Sequence, residues 1–359
     1  MHEELSGVWI MAYTAIDDSS AHSQTAIYTG TGSSRSVTNG GNSDLQPDLV
    51  WIKSRSAGDQ EHNLYDSSRG TGKRLISSSN AAEDSRDGVT AFNSDGFTTN
   101  YSDANTSSAT YVAWQWKANG GTRTTNTESG DNPGGGYQAN TTAGFSIVDY
   151  TGTGAVGTMA HGLGATPDMI WVKNRDQADS WSIYFGALGP TEYFLLDTYG
   201  NSEDDNTNWN DQGPTSSVFT IGTSHKTNAD GEKYIAYCFT NIQGYSKAGK
   251  YIGTGNANGP FIYLGFKPAW LLVKMDANGE SWNILDIKRN TSNPANTRID
   301  PDTNAAEATN SAYAVDFLSN GFKLRNTGGN FNSDGSTYYY AAFAEHPFVS
   351  SKGVPCTAR

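Results

Sequence analysis

The 359-residue sequence is poor in cysteine, in charge and in long apolar runs. Its two cysteines, Cys238 and Cys356, cannot supply a framework of several disulfides, and Cys238 lies in an apolar stretch that is typical of a small buried side chain. Charged residues make up only 17% of the chain, and the formal net charge is −13. Because no basic stripe offsets this acidic excess, we expect no nucleic-acid partner.

Membrane-spanning and helical patterns are also missing. No stretch approaches the roughly 20 apolar residues that a bilayer span requires, so no membrane insertion is expected. The apolar patch Val8–Met11 follows Glu3 and Glu4 instead of basic residues, which argues against a signal peptide. Gly, Ser, Thr and Asn are abundant, and 12% of the residues are aromatic, a mixture that favours short strands joined by turns. The sequence therefore predicts an all-β fold.

A set of motifs occurs three times along the chain. The first motif is Y-[TI]-G-T-G, at Tyr28–Gly32, Tyr150–Gly154 and Tyr251–Gly255. The second is a Pro followed by an apolar run and Lys, at Pro47–Lys53, Pro167–Lys173 and Pro268–Lys274. Each copy ends on an Asn and an aromatic run, namely Asn105 with Tyr111–Trp116, Asn228 with Tyr234–Phe239, and Asn332 with Tyr338–Phe343. We interpret the chain as three tandem repeats of about 100 residues, each an antiparallel β-sandwich-like module.

The motif positions predict the domain organisation. We expect an N-terminal arm at 1–25, unit one at 26–117, unit two at 143–246, unit three at 247–350 and a C-terminal tail at 351–359. Residues 118–142 are rich in Gly, Thr and Asn without apolar periodicity, which predicts a flexible linker. Each unit is expected to fold into its own lobe, with units two and three as a rigid pair. The block N-A-A-E also occurs twice, at Asn80–Glu83 and Asn304–Glu307.

The glycine-rich motif raises the question of nucleotide binding. Gly152–Gly157 matches G-x-G-x-x-G, but Arg35 and Asn258 replace the third glycine in the other copies, and no helix start follows. Gly70–Arg74 likewise lacks the residues that surround the lysine of a P-loop. We therefore predict no cofactor and assign the glycines to turns that need a positive φ.

No catalytic constellation is apparent. The histidines are scattered without metal-ligand spacing, which favours surface or turn positions: His2, His22, His62, His161, His225 and His346. No G-x-S-x-G elbow is present, and no pair of carboxylates stands out for glycoside hydrolysis. We therefore predict that the protein is not an enzyme.

The densest acidic stretch is Asn201–Asp211. Its carboxylates are candidate calcium ligands, with a solvated acidic loop as the alternative: Glu203, Asp204, Asp205 and Asp211. Trp209 lies in the same stretch and is the candidate glycan-binding residue. It could stack on a sugar ring if it is exposed, or it could lie beneath the loop.

Lysine and tryptophan recur at matching strand positions. Trp51, Trp171, Trp181 and Trp282 are interpreted as core residues. The three lysines that end the Pro-led run are Lys53, Lys173 and Lys274. A lysine at such a place commonly blunts a sheet edge, and a shared role in ligand binding is the alternative.

The ensemble of Y-T-G-x-G, P-D-x-[VI]-W-[IV]-K, S-D-G-F and Y-V-A-W-x-W resembles a repeat module in virion proteins of marine bacteriophages, often labelled tail-fibre-like. The resemblance covers about residues 26–350. The sequence M-A-Y-T-A-I-D-D, from Met11, also resembles the start of such proteins, which would make Met1–Ile10 an extension. The resemblance implies a location on the phage particle, on tail or capsid, and supplies no site residues.

The leading hypothesis is a non-enzymatic virion protein that is displayed on the particle surface and mediates host attachment by binding host surface glycans. Rigid β-modules that present polar loops and aromatic platforms suit this role. The alternative is a capsid knob, decoration or tail-assembly protein that binds other virion proteins and no sugar. A third is a glycan depolymerase with two carboxylates across a cleft. A homo-oligomer is compatible with the sequence, and a trimer is common among fibre proteins.

Overall fold

The chain is built almost entirely from antiparallel strands in a computed structural model that describes residues 12–100, 102–127 and 129–357. Strands make up 40% of the structure and helices 6%. The all-β prediction is confirmed. Within the described parts of the chain, no helix is long and apolar enough to cross a membrane.

The strands follow the three units along the chain. Unit one contains β1 (Ser23–Thr29), β2 (Arg35–Val37), β3 (Leu49–Ser54), β4 (Asn63–Asp66), β5 (Lys73–Arg74), β6 (Asp84–Ser85), β7 (Ala91–Phe92), β8 (Phe97–Thr99) and β9 (Thr110–Trp116). The next strands are β10 (Thr124–Asn126), β11 (Gly135–Asn140), β12 (Phe145–Thr151), β13 (Gly157–Ala160), β14 (Met169–Asn174), β15 (Ser182–Phe185), β16 (Glu192–Leu195), β17 (Glu203–Asp204), β18 (Val218–Ile221) and β19 (Lys233–Phe239). Unit three contains β20 (Ser246–Ile252), β21 (Phe261–Tyr263), β22 (Phe266–Met275), β23 (Asn283–Asp286), β24 (Thr297–Arg298), β25 (Ala308–Thr309), β26 (Val315–Leu318), β27 (Gly321–Leu324) and β28 (Thr337–Pro347).

The helical elements are single turns. They are α1 (Ser102–Asn105), α2 (Asn206–Trp209), α3 (His225–Asn228) and α4 (Gly329–Asn332), with 3-10 turns at Ser19–Ala21 and Ser311–Tyr313.

The three main sheets share one strand order. It is β1-β9-β3-β4 in unit one and β20-β28-β22-β23 in unit three, and the same order appears as β12-β19-β14-β15 inside an eight-stranded sheet in unit two. A smaller sheet accompanies each: β2-β8-β7, β13-β18 and β21-β27-β26. The Pro-led apolar runs form the internal strands β3, β14 and β22. Every residue of β3 and β14 is buried, as expected of strands covered on both faces.

The glycine-rich motifs have a steric cause. A Cβ at Gly30, Gly152 or Gly253 would lie 2.0, 2.1 or 2.2 Å from a backbone carbonyl oxygen, so each position excludes any side chain. Two residues later, Gly32 and Gly154 have φ of 73° and 70°, in the region that favours glycine.

The motif-ending Asn holds this turn in each unit. Its Oδ1 accepts a hydrogen bond from the amide of Thr31, Thr153 or Thr254, at 2.9, 2.8 and 2.8 Å. The glycines and the Asn therefore form one packed turn. Within the described residues, no helix begins directly after the motif, unlike in a nucleotide-binding fold.

The core is shared among the units. Trp51 of unit one lies 5.6 Å from Trp171 of unit two, and Trp116 of unit one lies 5.5 Å from Trp270 of unit three, each pair edge to face. One apolar cluster contains buried residues of all three units. The expectation of a separate lobe for each unit is wrong in this respect, because the aromatic faces of the main sheets are buried against each other.

The predicted flexible linker at 118–142 instead contains two strands. β10 and β11 extend the main sheet of unit two, with β11 paired antiparallel to β12 over Gly135–Asn140. Composition did not indicate this, because the paired residues are mostly small or polar and their backbones supply the ladder.

The described part of the N-terminal arm lies against the end of unit two and against unit three. Thr14 Oγ1 donates to the Gln243 carbonyl at 2.8 Å, and Tyr13 Oη donates to the Gly265 carbonyl at 2.8 Å. The Met1–Ile10 extension lies outside the described residues.

Candidate functional site

Trp209, the residue proposed to stack on a sugar, is buried. Only 2% of it is exposed, and its ring packs edge to face on Tyr184 at 6.0 Å. The glycan-stacking alternative is therefore wrong for this residue. None of the tryptophans that the structure describes is more than 3% exposed. The exposed large aromatics are Tyr199, Phe261 and Tyr263, with 64%, 42% and 48% exposure.

The four acidic candidates for calcium do not form a site. Glu203 accepts a hydrogen bond from Tyr193 Oη at 2.6 Å, and Asp205 caps α2 by accepting from the Thr207 amide at 2.9 Å. Glu203 and Asp204 form β17, which pairs with β16, while Asp211 follows α2. Among described residues, no three His, Cys, Asp or Glu side chains are grouped so that they could hold a metal ion.

The recurring lysines are internal, so the edge-blunting prediction is wrong. Lys53, Lys173 and Lys274 are fully buried because β3, β14 and β22 are flanked by strands on both sides. Burial lowers the pKa of each to about 8, although nearby carboxylates oppose the change.

Each lysine fastens the loop that follows its strand. Lys274 Nζ donates to the carbonyls of Met275 and Glu280 at 2.8 and 2.7 Å, and Lys53 and Lys173 make the matching bonds. A lowered amine pKa often marks a nucleophile. Here each lysine amine is buried and donates hydrogen bonds to backbone carbonyls. These contacts indicate that the lysines stabilise the loops instead of acting as nucleophiles.

Two buried carboxyl groups of unit three, Asp300 and Asp302, are also perturbed. Burial raises the pKa of Asp300 to about 6, and burial together with the charge of Asp300 raises the pKa of Asp302 to about 7. Asp300 pairs with Arg298 at 3.1 Å, whereas the oxygens of Asp302 make no well-formed hydrogen bond among the described residues. The Ser281 hydroxyl and the Asp302 amide only partly offset the rise of the Asp302 pKa. Asp302 is only 7% exposed, so a substrate cannot approach it from solvent in this conformation.

Unit one meets unit two through a buried ionic cluster. Arg69 contacts Asp66 at 2.5 Å and Glu83 at 3.1 Å, and the Arg69 and Asp66 side chains are both fully buried. Arg175 of unit two binds both oxygens of Glu83, at 2.8 and 3.0 Å, and Tyr237 Oη donates to Asp66 at 2.7 Å. Burial opposes ionisation of Glu83, but the hydrogen bond from Arg175 and the charge of Arg69 outweigh it and lower its pKa.

Unit three meets unit one through a matching cluster. Asp286 and Arg289 form a buried pair at 2.6 Å, and Trp114 Nε1 of unit one donates to Asp286 at 3.1 Å. Arg55 of unit one binds both oxygens of Glu307, each at 2.9 Å. Glu83 and Glu307 end the two N-A-A-E blocks. The block therefore recurs where a junction needs a bidentate acceptor.

The junction of units two and three is apolar instead. Phe185, at the position of Asp66, stacks on Trp282 of unit three at 6.2 Å, and Phe194 meets the same ring edge to face at 5.7 Å. The Ser202 amide donates to Asp276 at 2.9 Å. Unit two has no N-A-A-E block, and the residue of unit three at the position of Arg55 and Arg175 is Asp276, which cannot pair with a carboxylate. The three junctions close a ring in which each unit contacts the other two.

Ring N–H groups bind carbonyls across all three junctions. Trp181 Nε1 donates to Ile76 at 2.7 Å, and Trp282 Nε1 donates to Leu195 at 2.9 Å. His62 occupies the matching place in unit one, with Nε2 at 3.1 Å from the Asp300 carbonyl. Trp51 Nε1 donates to His62 Nδ1 at 2.9 Å, so the proton of the neutral ring lies on Nε2. His62 is buried, which differs from the surface position expected for it.

The first strands of the main sheets have different outer edges. β12 is covered by β11, whereas β1 and β20 each stand at the end of their sheet. At β20, Asn241 occupies the edge, since its Oδ1 accepts from the Ala248 amide at 2.6 Å and its Nδ2 donates to the Ala248 carbonyl at 3.3 Å. The space beside this edge is only about 10 Å³.

A cleft of about 190 Å³ lies beside β1, between units one and three. Its lining includes Thr25 of β1, Ile287 and Lys288 of unit three, and the acidic side chains of Asp18 and Glu345. Glu345 pairs with Lys267 at 3.2 Å, and Asp18 accepts from Ser20 and Ser43. This cleft and the adjacent edge of β1 are the candidate functional site, here named the β1 cleft.

Sequence reasoning missed the β1 cleft, but a signal for it exists. In units one and two, the Asp of P-D anchors the chain that leaves the last strand: Asp48 accepts from the amides of Ala118 and Gly120, and Asp168 accepts from the amide of Asn241. Unit three has Ala269 at this position, and Ala269 lines the cleft. The change from P-D to P-A therefore marks the junction that stays open.

The comparisons place the chain in a family without assigning it an activity. No curated protein and no solved structure matches it. One family model matches residues 18–347, which include all three units and the β1 cleft. The chain belongs to the family described as Domain of unknown function (DUF7483).

Proposed function

We propose that the protein is a non-enzymatic structural component of a bacteriophage particle, and that it binds a neighbouring particle protein through the β1 cleft. The observation that supports the proposal is that the outer edges of three equivalent strands, β1, β12 and β20, have different neighbours. One is covered by a strand, one is occupied by Asn241, and that of β1 faces an open cleft. An edge strand is a ready template for another chain, and proteins usually protect it.

The enclosed state of the perturbed groups supports a non-enzymatic role. Lys274 is fully buried and bonded to main chain, and Asp302 is 7% exposed. General acid–base or nucleophilic catalysis requires such groups to come within hydrogen-bond reach of a substrate. The ionic clusters between the units hold the units in a fixed arrangement, which suits a component of an assembly.

Host adhesion through glycans is the second candidate. Trp209 is buried, and the residues that support this function are exposed aromatics on β21. Phe261 and Tyr263 lie two residues apart on this strand, so they project from the same face, and both are substantially exposed. Such a pair could form a stacking platform for a sugar.

The first experiment locates the protein. Particles of a phage that encodes the chain are purified on a density gradient, analysed by mass spectrometry and imaged with an antibody against the chain. We expect a fixed copy number per particle. Recovery of the chain only from the soluble lysate would overturn the particle role.

The second experiment separates assembly from adhesion. Labelled full-length protein is applied to a bacterial glycan array and to host cells, beside the variants Phe261→Ser and Tyr199→Ser. We expect no saturable binding. Binding that Phe261→Ser abolishes and Tyr199→Ser retains would instead establish adhesion through β21.

A further inference from the structure

The covered edge of unit two shows how these sheets accept an added strand. β11 pairs with β12 so that Gln138 stands opposite Ile147. The Thr151 amide donates to the Gly134 carbonyl at 3.0 Å, which fixes the outward-facing groups of β12 as those of Thr151, Asp149 and Ile147. The remaining residues of β12 bond to β19.

Gln138 fills the junction between units two and one. Its Nε2 donates to Ser67 Oγ and Ser68 Oγ, both at 2.7 Å, and its Oε1 accepts from the amides of Asn119 and Gly121 at 3.4 and 3.0 Å. The side chain is 1% exposed, so the added strand both extends the sheet and closes the junction.

The β1 cleft is the same place in the next junction of the ring. The matching strands place Thr25 where Ile147 stands, and Ile287 and Lys288 where Ser67 and Ser68 stand, in the aligned sequences D-S-S-R and D-I-K-R. All three residues line the cleft. By the same alternation, the N–H and C=O groups of Thr25 and Ile27 face away from β9 toward the open edge.

We propose that β1 accepts an extended segment of a partner protein as an added antiparallel strand, with the side chain opposite Thr25 entering the β1 cleft. The inference rests on the proposed function only in naming the partner as a particle protein. Main-chain hydrogen bonds to Thr25 and Ile27 supply the binding, and the cleft selects the side chain.

The cleft differs from the unit-two junction in the group that meets this side chain. Two hydroxyls meet Gln138, whereas Lys288 brings an ammonium group and Ile287 an apolar contact. An ammonium donates and cannot accept. The partner residue therefore presents an oxygen acceptor to Lys288, and neutral Gln suits the cleft better than Glu because Asp18 and Glu345 also line it.

The probe is the peptide P-G-G-G-Y-Q-A-N-T-T, residues 133–142, which carries the β11 sequence. Labelled peptide is titrated into the full chain and binding is followed by fluorescence anisotropy. We expect saturation at one peptide per chain. A companion peptide with Leu in place of Gln binds more weakly, and Lys288→Ala reduces that difference.

Backbone methylation tests the register without altering the protein. In β11 the amides of Gly136, Gln138 and Asn140 face β12, while those of Tyr137 and Ala139 face away. N-methylation at the Gln138 position weakens binding about tenfold or more, because a donor is lost and a carbonyl on β1 is left unpaired. The same change at the Tyr137 position is the matched control and leaves affinity within about twofold.

A protein-side pair identifies the edge. Ile27→Pro removes an outward N–H of β1, which an edge strand tolerates, and it abolishes binding. Lys250→Pro, at the matching position of β20, leaves binding unchanged. Equal weakening by both methylated peptides, or binding that Lys250→Pro abolishes and Ile27→Pro retains, overturns the proposal. The purified protein suffices for these assays, so their failure and a failure to find the chain in particles are separate results.

Discussion

Replacing Asp302 by Asn is expected to stabilise the protein above neutral pH. The Asp302 residue is 7% exposed, and its carboxyl oxygens make no well-formed hydrogen bond among the described residues, with only weak contributions from the Ser281 hydroxyl and the Asp302 amide. Its pKa rises from 3.8 to about 7, first because of burial and then because of the charge of Asp300. The folded state therefore holds a proton that the unfolded state releases at lower pH.

The size of the effect follows from linkage. A folded-state pKa above the unfolded value gives stability that is complete below pH 4 and is lost as the pH rises through 7. At about 1.4 kcal/mol for each pH unit, the loss approaches about 4 kcal/mol at pH 8. Asn removes the charge but leaves a buried amide, which costs about 1–3 kcal/mol if unpaired. The net gain at pH 8 is therefore about 1–3 kcal/mol.

Urea unfolding of the full chain at pH 4 and pH 8 measures this gain. Asp302→Asn should raise the midpoint at pH 8 and leave it equal or lower at pH 4, while Asp44→Asn, at an exposed carboxylate, serves as the control. The reasoning is refuted if Asp302→Asn destabilises the protein at pH 8, because the ionised carboxylate would then be a net stabilising group.

Four further outcomes test other parts of the structure. Glu83→Gln should lower the free energy of unfolding by about 3 kcal/mol, because it leaves Arg175 without its anion and Arg69 with Asp66 alone, and a double-mutant cycle with Arg175→Gln measures the coupling. Burial lowers the pKa of His62, so stability should fall as the pH drops below about 6.5, and His62→Gln should flatten that slope in denaturation curves recorded from pH 7 to 5. Trp209→Ala should cost about 3–5 kcal/mol in unfolding and leave any glycan binding on an array unchanged, since its ring is in the core. Asn241→Ala frees the Ala248 edge of β20 and should increase concentration-dependent self-association relative to wild type in sedimentation experiments. A variant that associates no more than wild type would contradict the edge-capping role.

The sequence predicts the all-β class and the internal strands because those features depend on local composition. Continuous apolar runs such as Leu49–Ile52 indicate strands covered on both faces, and these runs are internal strands. Local composition gives the wrong prediction for Lys53, because a lysine that follows an apolar run resembles a residue at a sheet edge. Its burial depends on the loop carbonyls that receive its ammonium, and those contacts are tertiary.

The contacts between units are harder to predict from the sequence, because their partners lie far apart along the chain. The N-A-A-E block is visible as a repeat, but its partners Arg175 and Arg55 lie in other units. Likewise, the backbone that makes β11 a strand comes from residues 135–140, whose composition indicates a loop. Ala269 is the exception. The replacement of P-D by P-A in one of the three copies is visible in the sequence and points to the β1 cleft. The missing aspartate removes the hydrogen bonds that hold the following chain at the other two junctions.

Joining the three units in one chain has a consequence for stoichiometry. A trimer of identical subunits would carry the same strand border three times, and its partners would have to match that symmetry. In this single chain the three borders differ: β11 covers that of β12, the Asn241 amide caps that of β20, and that of β1 faces the β1 cleft. The proposed strand addition at β1 therefore implies that one chain binds one partner, because β11 covers the edge of β12 and Asn241 occupies that of β20.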